Sequence, residues 1–185
     1  GGYGFCADFI LQQYYRDIRI SAIYEGTTGI QSQDLLGRKI TMGNGSGLSL
    51  LSAEILETIE ASKKHETLQP YAAILSEKLE LTQTILQKLM PHAMKGDFER
   101  YLADASIFME FFSLIIIGWT WLEIATKAQN SLNDANAPLS DEFYIGKIET
   151  LKYFYSYELP KTLGHAAILM DPTTVTIKKE KEYIN

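Results

Sequence analysis

Apolar residues recur at intervals of three and four along most of the chain. Leu48, Leu51, Ile55 and Ile59 form one such stripe. Tyr71, Leu75, Leu79, Ile85, Leu86 and Leu89 form another. This spacing puts the apolar side chains on one face of an α-helix. The first stripe predicts a helix from Leu48 to about Glu66, and the second a helix from Thr67 to about Met94. Pro70 falls near the start of the second, where proline is tolerated. Pro91 is expected to end or kink it, with Gly96 as the stop. Asp97 is the expected N-cap of a third helix that runs to about Gln129. Within it, Phe108 to Leu122 is apolar nearly all round, which marks the central buried helix of a bundle. That stretch is shorter than the roughly 20 residues of a bilayer span and is interrupted by Glu110, Ser113 and Thr120, so no integral membrane span is expected. After a loop at 130–138, Ser140 is expected to cap a fourth helix carrying Ile148, Leu151 and Tyr155. Asp141 and Glu142 in its first turn suit the helix dipole. Pro160 should kink it before Met170.

The first part of the chain is patterned differently. Asp8 is the expected N-cap of a helix to about Ile18, with Phe9, Leu11, Tyr15 and Ile18 apolar. A short loop follows, in which Ile20, Ile23 and Ile30 are the expected apolar anchors. A helix from Thr28 to Met42 comes next, its apolar side given by Ile30, Leu35, Leu36 and Ile40. Gly43-Asn-Gly-Ser-Gly47 reads as a flexible linker. The tail from Thr173 has a β-like Val175-Thr-Ile177 and then a charge run, and it reads as mobile. The fold class is therefore all-α, a helical bundle. Its expected parts are 1–42, a linker at 43–47, a four-helix domain at 48–170 and a tail at 171–185.

Composition narrows the function classes. The 185 residues are 46% hydrophobic and 22% charged, the balance of a globular protein that can bury a core. The net charge of −6 repels phosphate backbones, so nucleic acid is not an expected partner. The lone Cys6 excludes an internal disulfide and suits a reducing, cytoplasmic location. His65, His92 and His165 share no metal-ligand spacing, so no metal site is expected.

Candidate chemistry gathers at Arg19-Ile-Ser-Ala-Ile-Tyr-Glu-Gly-Thr-Thr-Gly-Ile-Gln31. Glu25 stands between Tyr24 and Gly26. A carboxylate held half out of water beside an aromatic ring has a raised pKa, which suits a general base near neutral pH. Gly26 lets a planar substrate approach the backbone. On the residues alone, Glu25 equally reads as a polar side chain capping the helix that starts at Thr27 or Thr28.

Ala22-Ile-Tyr-Glu-Gly-Thr-Thr-Gly-Ile-Gln31 resembles the active-site segment of the acyl-coenzyme A dehydrogenases. Gly1-Gly-Tyr-Gly-Phe5 and Tyr15-Arg-Asp-Ile-Arg-Ile20 precede it in the order and spacing of that family. The resemblance implies an FAD enzyme that oxidises an acyl-CoA thioester to its 2,3-enoyl form. Glu25 would take the α-proton while flavin N5 accepts a hydride from the β-carbon. The resemblance also implies flavin contacts for Thr27 and Gln31, and for Gly1 and Gly2 toward the adenine-dinucleotide part of FAD. Tyr24 and Gly26 would border the acyl-CoA substrate. An electron-transfer partner and a homo-oligomer, dimer or tetramer, are implied as well. Thr28-Gly29 departs from the polar pair that many relatives carry.

Compact members of the family end soon after the helix at 28–42, so this chain resembles the larger members with an appended helical domain. Under the resemblance, Gly1 lies far into the family's sequence. The chain is then expected to be the C-terminal piece of a longer enzyme, inactive and without stoichiometric flavin by itself. A different class of function is a helical interaction module in which the appended bundle binds a subunit or partner, or, against the acidic charge balance, DNA, and the loop does no chemistry.

Overall fold

In the computed structural model, residues 1–24, 26–173 and 175–177 are described, and every regular element among them is helical. The helices are α1 (Leu11–Arg19), α2 (Thr28–Asp34), α3 (Met42–Ser62), α4 (Gln69–Met94), α5 (Phe98–Leu102), α6 (Ala105–Leu132), α7 (Asp141–Tyr153) and α8 (Lys161–Leu169). One turn of π-helix, Leu35–Lys39, extends α2, and another, Phe154–Glu158, extends α7. Short 3-10 turns occupy Gly2–Phe5, Ile20–Ala22 and Glu66–Leu68.

The apolar stretch expected to be central is central. Helix α6 packs against α2, α3, α4, α7 and α8. Phe108, Phe111, Phe112, Ile115, Leu122 and Ala125 are buried on it. Each large side chain so buried contributes about 1.5–3 kcal/mol. By length and composition α6 is also apolar enough to cross a membrane. The core of a folded bundle has the same composition, and the five helices around α6 supply that core here. From the neighbouring helices come Ile55, Ile59, Leu75, Ile85, Ile148, Leu151 and Tyr155, the residues at the helical spacing noted above. Polar ties cross the bundle: Thr67 Oγ1 bonds Gln129 Oε1 at 3.1 Å, and the Tyr155 hydroxyl donates to the Gly118 carbonyl at 3.1 Å.

Several boundaries differ from the sequence reading. Asp8 does not cap α1: the N-cap position is Ile10, with no side-chain cap. Residues Cys6 to Ile10 instead form turns, with Phe9 N–H bonded to the Cys6 carbonyl at 3.2 Å. Pro91 lies inside α4, which continues to Met94; Gly96, with φ 77°, then reverses the chain. The single helix expected from Asp97 to Gln129 is two. Asp97 does cap, accepting Arg100 N–H at 3.2 Å, but α5 lasts five residues and Asp104 breaks the path with φ −112° and ψ 29°. Ser140 caps α7 as expected, accepting Phe143 N–H at 3.4 Å. Pro160 lacks an N–H and crowds the carbonyl four residues back. The chain meets this by widening to the π turn just before it, where Leu159 N–H bonds the Phe154 carbonyl at 2.9 Å. Residues Val175 and Thr176 form a turn, not a strand; Thr174 and 178–185, the remainder of the tail, lie outside the described residues.

The glycine-rich stretch at 43–47 is a tight reversal. Gly43, Asn44 and Gly45 have φ of 59°, 54° and 81°, the left-handed region that glycine and asparagine tolerate. They turn the chain from the π turn of α2 into the regular part of α3.

Candidate active site

The first thirty-one residues form an arm with no buried side chain among those described. Helix α1 packs on its own flanking 3-10 turns. The apolar anchors expected in the loop are not anchored: Ile20 is 53% exposed, and Ile23 and Ile30 are also more than half exposed. Their partners are not supplied by the described part of this fold. Leu11, Tyr15 and Ile18 are likewise exposed along α1, as is Phe9 in the turns before it.

The loop itself is built by short-range bonds. Ile23 and Tyr24 N–H groups both donate to the Ile20 carbonyl, at 3.0 and 2.9 Å. Glu25 lies outside the described residues. Gly26 has φ +117°, and a Cβ there would sit 3.3 Å from Gln31 Nε2 and 3.4 Å from Ile30 Cγ2. A side chain at position 26 would therefore fill the space between the loop backbone and the first turn of α2. Thr27 is the N-cap of α2: its Oγ1 accepts Ile30 N–H at 3.5 Å, and its carbonyl accepts Gln31 N–H at 3.0 Å. The fold thus brings Gly26, Thr27 and Gln31 into one turn, with Tyr24 exposed beside it. Gly2 opens the 3-10 turn that packs against α1 and Gly1 stands at its N-cap, both with open space where a Cβ would be.

Burial begins at Ser32, which is 1% exposed. Its hydroxyl bonds the Gly29 carbonyl at 2.8 Å and lies 3.1 Å from the Ser106 hydroxyl on α6. Four residues on, Leu36 is 1% exposed, and its carbonyl accepts the Tyr101 hydroxyl at 2.7 Å. Burial raises the Tyr101 phenol pKa above its ordinary value. Asp34 pairs with Arg38 at 2.5 Å, and that bond holds its carboxyl below the usual range. These contacts of Ser32 and Leu36 were not foreseen. Ser106 and Tyr101 are more than sixty residues away in sequence, and neither carries a local signal. Among the described residues no cluster of His, Cys, Asp and Glu could hold a metal ion.

An exposed arm that carries a glycine-containing turn, joined to a helical bundle, defines the class: an all-helical portion with its candidate loop at the surface among the described residues. Comparison with known proteins gives the family. Residues 1–40 match the acyl-CoA dehydrogenase C-terminal domain, and residues 51–178 match the "Acetyl-CoA dehydrogenase C-terminal like" domain. The chain belongs to the acyl-CoA dehydrogenase family, and corresponds to its C-terminal helical part. It is 31% identical over 166 residues to the broad-specificity linear acyl-CoA dehydrogenase FadE5 of Mycobacterium tuberculosis, covering 86% of this chain and 27% of that protein. To a butyryl-CoA dehydrogenase of Syntrophomonas wolfei it is 27% identical over 185 residues, 100% of this chain and 30% of the relative. To the 3-methylmercaptopropionyl-CoA dehydrogenase of Ruegeria pomeroyi it is 34% identical over 155 residues, 83% of this chain and 26% of the relative. The chain spans less than a third of the length of these relatives.

Proposed function

We propose that this chain is the C-terminal part of an FAD-dependent enzyme that oxidises an acyl-CoA thioester to the 2,3-enoyl-CoA, with Glu25 as the base that takes the α-proton. The observation that carries the reading is the match of residues 1–40 to the family's C-terminal domain, since that span contains Tyr24-Glu25-Gly26-Thr27. Gly26, at φ +117°, stands where a side chain would crowd the turn: a Cβ there would lie 3.3 Å from Gln31 Nε2 and 3.4 Å from Ile30 Cγ2, so glycine keeps the loop backbone close to the first turn of α2.

The chemistry asks for a base and for stabilisation of charge. An α-proton beside a thioester is weakly acidic, and its removal puts negative charge on the thioester oxygen. A preorganised N–H donor lowers the cost of that charge. The Glu25 backbone N–H is assigned that role, and the Glu25 carboxylate receives the proton. Thr27, Gln31, Gly1 and Gly2 would hold FAD, which would supply the hydride-accepting chemistry toward the β-carbon. Tyr24 and Gly26, the neighbours of Glu25 in the chain, border the substrate. The Thr27 hydroxyl already accepts one bond from α2, and it retains its own proton for a second partner. An acyl-CoA substrate, a partner that removes the electrons and a homo-oligomeric assembly belong to the same reading.

The test is on the full-length gene product. Purified protein should be yellow, and straight-chain acyl-CoAs should bleach the flavin and yield the 2,3-enoyl-CoA. A full-length protein that binds no flavin, or that leaves every acyl-CoA unchanged, would refute the proposal. The 185-residue chain by itself should purify without stoichiometric flavin.

A further inference from the structure

We infer that Ser106 and Tyr101, which lie in the appended helices, are positioning residues that set where the turn at Gly26–Gln31 sits. The inference rests on the acyl-CoA dehydrogenase reading and adds a role for the appended bundle within it.

The arm has no fixed point of its own, because no described residue before Ser32 is buried. The turn at Gly26–Gln31 is therefore held through α2, which packs on α6, and through the π turn that continues it, which packs on α3, α5 and α6. Its first attachment is Ser32. The Ser32 proton goes to the Gly29 carbonyl, in the first turn of α2, so in the 3.1 Å contact Ser106 is the donor and Ser32 the acceptor. This relay ties the backbone at Gly29, two residues before Gln31, to α6. The second attachment is the Leu36 carbonyl. It lies in the π turn, where the ladder shifts and Ile40 N–H goes to the Leu35 carbonyl. Tyr101, 2% exposed, donates to the Leu36 carbonyl at 2.7 Å, and its oxygen is 3.6 Å from Met90 Sδ. Beside it, a Cβ at Gly37 would lie 3.3 Å from Leu102 Cδ2, so α5 and the π turn are in close contact.

Geometry turns these two bonds into a lever. Thr27 and Ser32 are five residues apart, or about 7.5 Å along a helix that moves as one piece. Any tilt of α2 about its attachments moves Thr27 and Gln31 together. Reacting groups misplaced by about 1 Å can lose on the order of 100-fold in rate. The bundle thus acts on the chemistry without touching substrate or cofactor.

Tyr155 provides the control. Its hydroxyl makes the same kind of buried bond, to the Gly118 carbonyl at 3.1 Å, entirely within the appended helices and with no atom of α2 as its partner. The experiment is single-turnover bleaching of the flavin in the full-length holoenzyme at saturating acyl-CoA, with melting temperature measured alongside. Tyr101→Phe and Ser106→Ala should each slow bleaching by about fivefold or more, with the substrate dissociation constant changed by less than about threefold. Tyr155→Phe should lower the melting temperature and keep the wild-type bleaching rate. Should Tyr101→Phe fail to fold, Ser106→Ala alone decides. A wild type that bleaches normally while Ser106→Ala and Tyr101→Phe keep its rate overturns the inference alone. So does a Tyr155→Phe variant that slows as much as they do. A wild type that takes up flavin but is not bleached by any acyl-CoA overturns the reading of the function and this inference together.

Discussion

The indole N–H of Trp119 on α6 donates to the Thr58 hydroxyl on α3 at 2.8 Å, and that hydroxyl donates in turn to the Glu54 carbonyl at 3.2 Å. The relay lies in a groove between α3 and α6 that Glu57, Ala61, Glu123 and Lys127 also line. A half-buried indole N–H that loses its acceptor pays a desolvation cost. Thr58→Val keeps the shape and removes the oxygen. It should destabilise the fold by about 1–2 kcal/mol in urea unfolding, with a shift in tryptophan emission. No change in either would mean that solvent replaces the bond.

Position 43 tests the reversal between α2 and α3. At φ 59° an added Cβ on Gly43 would lie 2.5 Å from Ser46 Oγ. Left-handed backbone alone costs a non-glycine residue about 1–2 kcal/mol. Gly43→Ala should therefore lower stability by about that much or more, read as a lower urea midpoint with an unchanged slope. Gly47→Ala, with open space at its Cβ, is the matched control and should be near neutral or stabilising.

Tyrosine titration gives a pH dependence of known sign. Burial raises the phenol pKa of both Tyr101 and Tyr155. Each keeps its proton in the folded chain at a pH where an unfolded tyrosine has lost it. Their contribution to stability is complete below about pH 10, the unfolded value, and is lost as pH rises toward the folded values. The melting temperature should fall steeply above about pH 10, while absorbance near 295 nm shows some tyrosines titrating only with unfolding. Tyr155→Phe should flatten the alkaline limb. An alkaline limb identical to the wild type would contradict the burial argument.

Particular residues explain how far the sequence could be read. Ile55 and Ile59, Leu75 and Ile85, and Ile148 and Leu151 are all buried, because helical spacing records which face meets a core. The same spacing hid the break at Asp104. Tyr101, Ala105, Phe108, Phe112 and Ile115 follow one another at intervals of four and three and are all buried, so the apolar stripe runs straight through the interruption. The π turns left no trace either, since each adds one residue to a turn without changing its composition. At the candidate site, the turn at Gly26–Gln31 was legible from glycine and threonine placement. The exposure of Ile20, Ile23 and Ile30 was not, because an apolar residue in a sequence does not say whether its partner belongs to the same fold. Nor was the tie from Leu36 to Tyr101, a contact across 65 residues that no local pattern encodes.

The proposed chemistry depends on one carboxyl group, and Glu25→Gln in the full-length protein tests it most directly. The substitution keeps size and removes the base. The variant should bind flavin as the wild type does and bind acyl-CoA, with its reductive rate down by at least about 100-fold, at the lower end of what a positioned general base supplies. A variant that retains more than about a tenth of the wild-type rate would contradict the assignment, since general-base loss costs about 10²–10⁴.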